Sequence, residues 1–476
     1  MTNASRRHSA VVILGLGRIV QVITVFLAFR VLTSALSAGE VGFFFLLQSL
    51  VGFFGLIVVN PVGTFVSREI HGWEKSGSTR KNLSLFILFG CLSALAAGIS
   101  TLFVGTLKVS SIGSHEPVFQ TALAAIVMVA GATLANTFIP VLNILERRTA
   151  FVLLTATSQL LALGASYFVV THYQPQASAW WITTGFVQIA FGFIAYWWIV
   201  MSQRPSAGKA HAVGPASTHP KNDVWKFAFP VAIANVAVWG LMQGYRPFVE
   251  TFAGLDALAT VGLGLGIAAS VAAAFETLVM QIFLPHFYRD SHAADPKLRE
   301  VNWNNLWQKS VPTYLALTCS LFILAPAFVK LLSGDNFPMA ARYLAIGAIA
   351  ELARMCGNIL ILNAQSERNL APTRVPYWVG AAVALAGSAL AVKFQNMEIV
   401  AWSLVLGQLL ASGLLAIKLV SLHMLRIPLS VIGRFLAVPI AGALLARAMN
   451  PIIGISLLGF IVGGLTIHFW AKEKLT

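Results

Sequence analysis

Charge is what this sequence most lacks. Of its 476 residues only 10% are Asp, Glu, Lys or Arg, against 57% hydrophobic, and the mean hydropathy is +0.78. A soluble domain carries about 25% charged residues, so a soluble enzyme or soluble binding module is excluded. Cysteine is scarce too. Cys91, Cys319 and Cys356 all fall inside apolar runs, so they give no disulfide framework and no metal-binding cluster. The ten histidines form no HExxH or other ligand spacing, and no GxxxxGK[ST] loop is present to hold a nucleotide. No cofactor, metal or ATP hydrolysis is therefore expected, and energy for any work must come from a gradient or from removal of a product. Long extracytoplasmic loops are also missing. That argues against a membrane polymerase, ligase or acyltransferase, which needs polar catalytic groups at an interface, and the chain is expected not to be an enzyme.

What is present is a series of apolar runs of roughly 20 residues, the length that crosses a bilayer. Fourteen are predicted, from 11–33 and 41–63 through to 429–449 and 451–471. Arg6 and Arg7 precede the first run like a signal peptide. The run from Val11 to Thr33 is too long for a cleaved h-region and contains Arg18 and Arg30, so it reads as an uncleaved helix.

The net charge of +15 does not imply nucleic acid, because its placement follows the membrane. With the N-terminus inside, twenty-three of the 32 Lys and Arg fall in cytoplasmic segments or their margins, and only Lys108, Lys393 and Arg447 fall in outer loops. This bias predicts a multi-pass membrane protein with both termini cytoplasmic. The stretch SQRPSAGKAHAVGPASTHPKND, within 202–223, has no apolar period and reads as a linker. The predicted architecture is an all-α integral membrane protein of about fourteen transmembrane helices. Two pseudo-symmetric six-helix lobes, 1–201 and 224–420, are followed by a helix hairpin at 421–476.

The two lobes share a weak repeat. FRVLTSALSAGEVG joins the first two spans, and YRPFVETFAGLDAL joins the seventh and eighth. In each an arginine (Arg30, Arg246) is followed ten residues later by an acid (Glu40, Asp256), with a glycine just before (Gly39, Gly254). Duplicated halves are a frequent transporter plan.

These stretches carry a family resemblance. RVLTSALSAGEVGFFFLLQSLVGFF resembles the first-to-second helix junction of the polysaccharide and O-antigen flippases of the multidrug/oligosaccharidyl-lipid/polysaccharide (MOP) exporter superfamily. WKFAFPVAIANVAVWGLMQGYRPFVETFAGLDALATVGLGLGIA resembles the start of their second lobe, although Val261 stands near a position where the family often has tyrosine. The resemblance implies a flippase that moves an undecaprenyl-pyrophosphate-linked oligosaccharide to the outer leaflet by alternating access, for exopolysaccharide or O-antigen synthesis. It further implies membrane lipids and polysaccharide polymerase or export machinery as partners. A cation-coupled drug or metabolite antiporter of the same superfamily is the alternative.

Charged residues inside the spans are the candidate working parts, since burying one at the bilayer centre costs about 2.5–3.5 kcal/mol on insertion scales. Arg30, Arg246, Lys330 and Arg342 lie within about three residues, roughly 5 Å, of an outer end and can snorkel. Arg18 and Glu276 are expected deeper, and Glu351 and Arg354 fall mid-span, three residues apart on one helix face. A self-neutralising structural pair is one reading of Glu351 and Arg354; the other is a polar cavity, with Glu276 binding a proton or cation. Arginine suits bidentate phosphate recognition, and by the resemblance Arg18, Arg30, Arg246 and Arg354 are the expected contacts to the pyrophosphate.

Weaker features have bland readings. Gly15/Gly17 and Gly262/Gly264/Gly266 lie inside spans and are expected to serve helix packing. Asn60-Pro61, Pro140, Pro230 and Pro326 can bend helices. Trp180/Trp181 and Trp303/Trp307 lie near span ends and are expected to form an aromatic belt.

Overall fold

The computed structural model describes residues 3–107, 112, 115–202, 220–291, 296–366 and 371–420, with single positions at 425, 433 and 436. The predicted hairpin of spans 429–449 and 451–471, and most of the 202–223 linker, lie outside the described residues. Among the described residues the chain is all-helical, with no strand.

The helices are α1 (Asn3–Ala35), α2 (Ala38–Phe53), α3 (Asn60–Ser76), α4 (Thr79–Leu107), α5 (Val118–Ile144), α6 (Arg148–His172) and α7 (Ala177–Met201). They continue as α8 (Pro220–Met242), α9 (Tyr245–Ser291), α10 (Pro296–Ser333), α11 (Ala340–Ser366), α12 (Arg374–Phe394) and α13 (Glu398–Leu419). One π-helical segment, Phe54–Val59, fuses α2 and α3 into a single 39-residue span. The helical run from Val224 to Met280 has 57 residues, well over twice the roughly 20 that one crossing needs. It is broken at Gln243-Gly244 and again at Gly254, whose φ of 82° and ψ of 175° are accessible to glycine alone. Among the described residues ten helical runs are long and apolar enough to cross a membrane, with a shorter apolar helix at Val20–Ala35, in a multi-pass membrane protein. Two compact units divide the chain at Trp239/Gly240.

The outer surface is apolar, as a lipid-facing surface must be. Ile99, Phe103, Phe119 and Ile417 are each more than 60% exposed, a pattern that monomeric soluble proteins avoid. Hydroxyls within the helices bond inward to the preceding turn: Thr24 to the Val20 carbonyl, Thr101 to Ala97, Thr133 to Val129 and Ser388 to Ala384. Hydrocarbon supplies no hydrogen bonds, so this local pairing is obligatory.

Small residues set the helix contacts. A Cβ on Gly131 of α5 would sit 2.4 Å from the Gly185 carbonyl of α7, and one on Gly264 of α9 would sit 2.4 Å from the Ala340 carbonyl of α11. Gly380 of α12 and Gly407 of α13 face one another in the same way, and a Cβ added to either would sit 2.6 Å from the other's carbonyl oxygen. Gly17 of α1 packs on Val152 of α6. Close backbone approach replaces the hydrophobic effect as the source of helix adhesion in lipid, and the packing reading of Gly17 and Gly264 holds.

The tryptophan belt does not. Trp180, Trp181, Trp303 and Trp307 are all buried, with Trp303 fully so. Trp181 stacks on Phe44 of α2 with ring centroids 4.9 Å apart, and Trp303 stacks on Trp307 one turn away at 5.5 Å. The Trp303 indole donates to the Ile359 carbonyl of α11 at 3.0 Å. Position near a span end does not fix the azimuth of a side chain, and these four face the protein.

Candidate functional site

Three of the six expected site residues come together in the second unit. The Arg354 Nη1 lies 2.9 Å from the Glu276 carboxylate of α9, and its Nε donates to the Glu351 carboxylate of its own helix at 2.5 Å. Asn358, one turn further along α11, donates from Nδ2 to the other Glu276 oxygen at 2.7 Å. All three charged side chains are mostly buried, between 12% and 16% exposed. The spacing i, i+3, i+7 places Glu351, Arg354 and Asn358 on one stripe of α11, facing α9. The close α9–α11 approach at Gly264 and Gly347 brings Glu276 within reach.

The triad is unbalanced. With both carboxyls ionised it holds two negative charges and one positive, a net −1 in a poorly solvated place. Such a charge calls for compensation, because an unpaired buried charge is expensive. The donor set is also incomplete, since the Arg354 Nη2 has no hydrogen-bond partner among the described residues. Nearby, the Tyr314 hydroxyl of α10 is buried without a hydrogen-bond partner among the described residues. Tyr377 of α12 and Cys356 of α11 are close enough to feel the charge of Glu276. Asn358 and the two tyrosines escaped the sequence reading. Asn358 could have been found from its helical register with Arg354; the tyrosines reach the cluster from other helices and left no local signal.

The remaining arginines stand differently. Arg18 lies in α1, and its side chain is outside the described residues. Arg30 is exposed near the end of α1. Lys330 and Arg342 are exposed and paired with Asp335 and Glu398, as edge residues can be. Arg246 is instead buried, over the Tyr245 ring at 5.8 Å, with buried Glu250 one turn on. It does not snorkel.

The repeated junction is duplicated in backbone but not in chemistry. After Arg30 the helix breaks at Ser37, whose extended backbone and hydroxyl cap α2 through the Glu40 N–H at 3.4 Å. After Arg246 it breaks at Gly254. Yet Glu40 is tied into its unit while Asp256 is exposed.

Comparison with solved structures identifies the arrangement. The lipid II flippase MurJ, in an inward closed conformation, matches at a TM-score of 0.68 and 12% identity, over 98% of this chain and 99% of that one. The fold is that of the MOP-superfamily transporters. An inward-facing multidrug-resistance MATE transporter of that superfamily matches at 0.51, with 13% identity over 90% of this chain and 98% of that one. A MOP-superfamily transporter from Pyrococcus furiosus matches at 0.54, with 14% identity over 90% and 96%. By sequence, neither a family model nor a curated protein matches the chain.

Proposed function

We propose that the chain is a flippase that carries an undecaprenyl-pyrophosphate-linked oligosaccharide from the cytoplasmic to the outer leaflet, for exopolysaccharide or O-antigen synthesis. The observation that carries this reading is the similarity to MurJ, a flippase of a lipid, over 98% of the chain and at a higher TM-score than the drug transporters reach. The charge distribution supports an inner-membrane protein with both termini in the cytoplasm. Lipids surround it, and polysaccharide polymerase or export machinery receives its product.

In this mechanism the arginines divide the work. Arg30, exposed, takes a phosphate oxygen directly, with Arg18 and Arg246 as further contacts to the pyrophosphate. Arg354 is held by two carboxylates and meets an anion only when one of them is neutralised. Protonation of Glu276 brings the triad to net zero and frees the Arg354 Nη1 for the substrate. Uptake of one proton and of one anionic headgroup are thereby linked, with no bond of the substrate made or broken. The net negative charge of the triad also favours a second reading, a cation-coupled antiporter for a drug or metabolite.

Depleting the protein and locating the lipid-linked saccharide separates the two. Accumulation on the cytoplasmic leaflet supports the flippase; an unchanged leaflet distribution with lost drug resistance overturns it in favour of the antiporter.

A further inference from the structure

A second group of titratable residues lies in the first unit, far in sequence from the triad. Glu40, in the first turn of α2, accepts the Ala177 N–H of α7 at 2.6 Å. Glu116, just before α5, accepts the next N–H of the same helix, that of Ser178, at 3.3 Å. Two carboxyls thus share the N-terminus of one 25-residue helix, where the first N–H groups lack intrahelical partners and the dipole favours negative charge. That arrangement needs no ligand by itself. The pointer to one is the second Glu116 oxygen, Oε2, which is buried with no hydrogen-bond partner among the described residues, on a side chain only 3% exposed.

An ionised carboxylate does not sit dry beside another without compensation. Among the described residues the titratable and polar groups facing Glu116 are Glu40 from α2, His115 from its own segment, and the neutral Gln120, Gln176 and Ser178 at the starts of α5 and α7. Gln120 is itself used, its Nε2 donating to the Gln176 side-chain Oε1 at 2.8 Å and to the Ser178 hydroxyl at 2.9 Å. The His115 Nε2 lies 2.9 Å from Glu40 and is turned to that carboxyl. Among the described residues no Lys or Arg is paired with Glu116.

We propose that Glu116 and Glu40 form a proton-binding site that fastens the start of α2, the segment before α5 and the start of α7 to one another. The bound proton sits on Glu116 and is shared towards the Glu40 carboxylate. On release it passes by Glu40 to His115, the most exposed member at 29%, and then to water. The Glu116 carboxyl is pushed up from about 4.5 to about 7, first by burial and next by the adjacent Glu40, against the lowering effect of Ser178. The sign follows directly. The fastened state holds a proton that the opened state gives up, so fastening is strongest below about pH 4.5. It weakens about tenfold per pH unit until Glu116 ionises near pH 7. The site stands without the flippase reading.

Hydrogen exchange on the whole purified protein, corrected for the intrinsic rate at each pH, tests it at the α7 N-terminus. Protection of the Ala177–Trp181 amides should fall at least tenfold between about pH 5 and about pH 7.5 in the wild type. In Glu116→Gln, which keeps the shape and a donor but cannot titrate, it should be flat. Constant protection in the wild type, or an undiminished slope in the variant, overturns the proposal. Should the variant fail to accumulate, infrared titration of the wild type decides: a protonated-carboxyl band that persists to near neutrality supports the site. Its complete loss by about pH 5 refutes it.

Discussion

Replacing Arg354 with glutamine would leave Glu276 and Glu351 buried together with no cation between them. At 2.9 and 2.5 Å, and an effective dielectric near 20, each contact represents roughly 6 kcal/mol of gross Coulomb attraction. Removing three charges from water offsets most of that, at several kcal/mol per ion, so the intact triad contributes little net stability. One-sided removal is different, because the desolvation remains while the attraction is lost, and it costs about 3–5 kcal/mol. Glu276→Gln works the other way. The net charge goes from −1 to zero, Arg354 keeps Glu351, and an amide oxygen still accepts from Asn358. Thermal unfolding in detergent, followed by tryptophan fluorescence, should therefore show a large fall in midpoint for Arg354→Gln and none for Glu276→Gln. The double variant should recover part of the loss, since it removes one of the two stranded charges. Equal midpoints for the wild type and Arg354→Gln, or equal losses in the two single variants, would refute the charge accounting.

The π-helical segment gives a second expectation. In its register Asn60 donates to the Gly55 carbonyl, and Pro61, lacking an N–H, cannot serve Leu56. Asn235 of α8 supplies the missing bond to the Leu56 carbonyl at 2.7 Å, so Asn235→Leu should lower stability by about 1–3 kcal/mol in the same melt. Gly131→Ala and Gly264→Ala should each cost about 1–3 kcal/mol, because the new methyl meets a backbone carbonyl that cannot move aside. Gly413→Ala, with nothing within 4 Å of the added carbon, should be neutral or better and serves as the control. In transport, Arg30→Gln should weaken substrate uptake without altering its pH dependence, while Glu276→Gln should flatten the pH dependence; the reverse pattern in flux assays would contradict the division of roles.

Much of the helical plan is readable from hydropathy because lipid enforces one rule everywhere. The predicted 177–201 and 374–394 coincide with α7 and α12. The misses have physical reasons. Helix α10 begins at Pro296, well before the predicted 309, because its first turns are amphipathic. Trp303, Leu306 and Trp307 are buried at helical spacing, while the polar residues between them depress the mean hydropathy. The π segment leaves no compositional trace beyond Pro61. Within the triad, Glu351 and Arg354 betray each other by their spacing, but Glu276 pairs with them across helices, which a linear pattern cannot show. Glu40 was visible as an acid at a junction. Its partners His115 and Glu116 lie some 75 residues away in a short connecting segment with no motif of their own.

On the proposed function, this chain moves a lipid-linked saccharide between leaflets. Purified protein in liposomes, loaded with an undecaprenyl-pyrophosphate-linked oligosaccharide and probed with an impermeant saccharide-cleaving enzyme, measures that movement directly. On that proposal the protected, inner-leaflet pool should become accessible in the presence of the wild type, and more slowly with Arg30→Gln. A pool that stays protected with folded wild-type protein, under either direction of proton gradient, would contradict it.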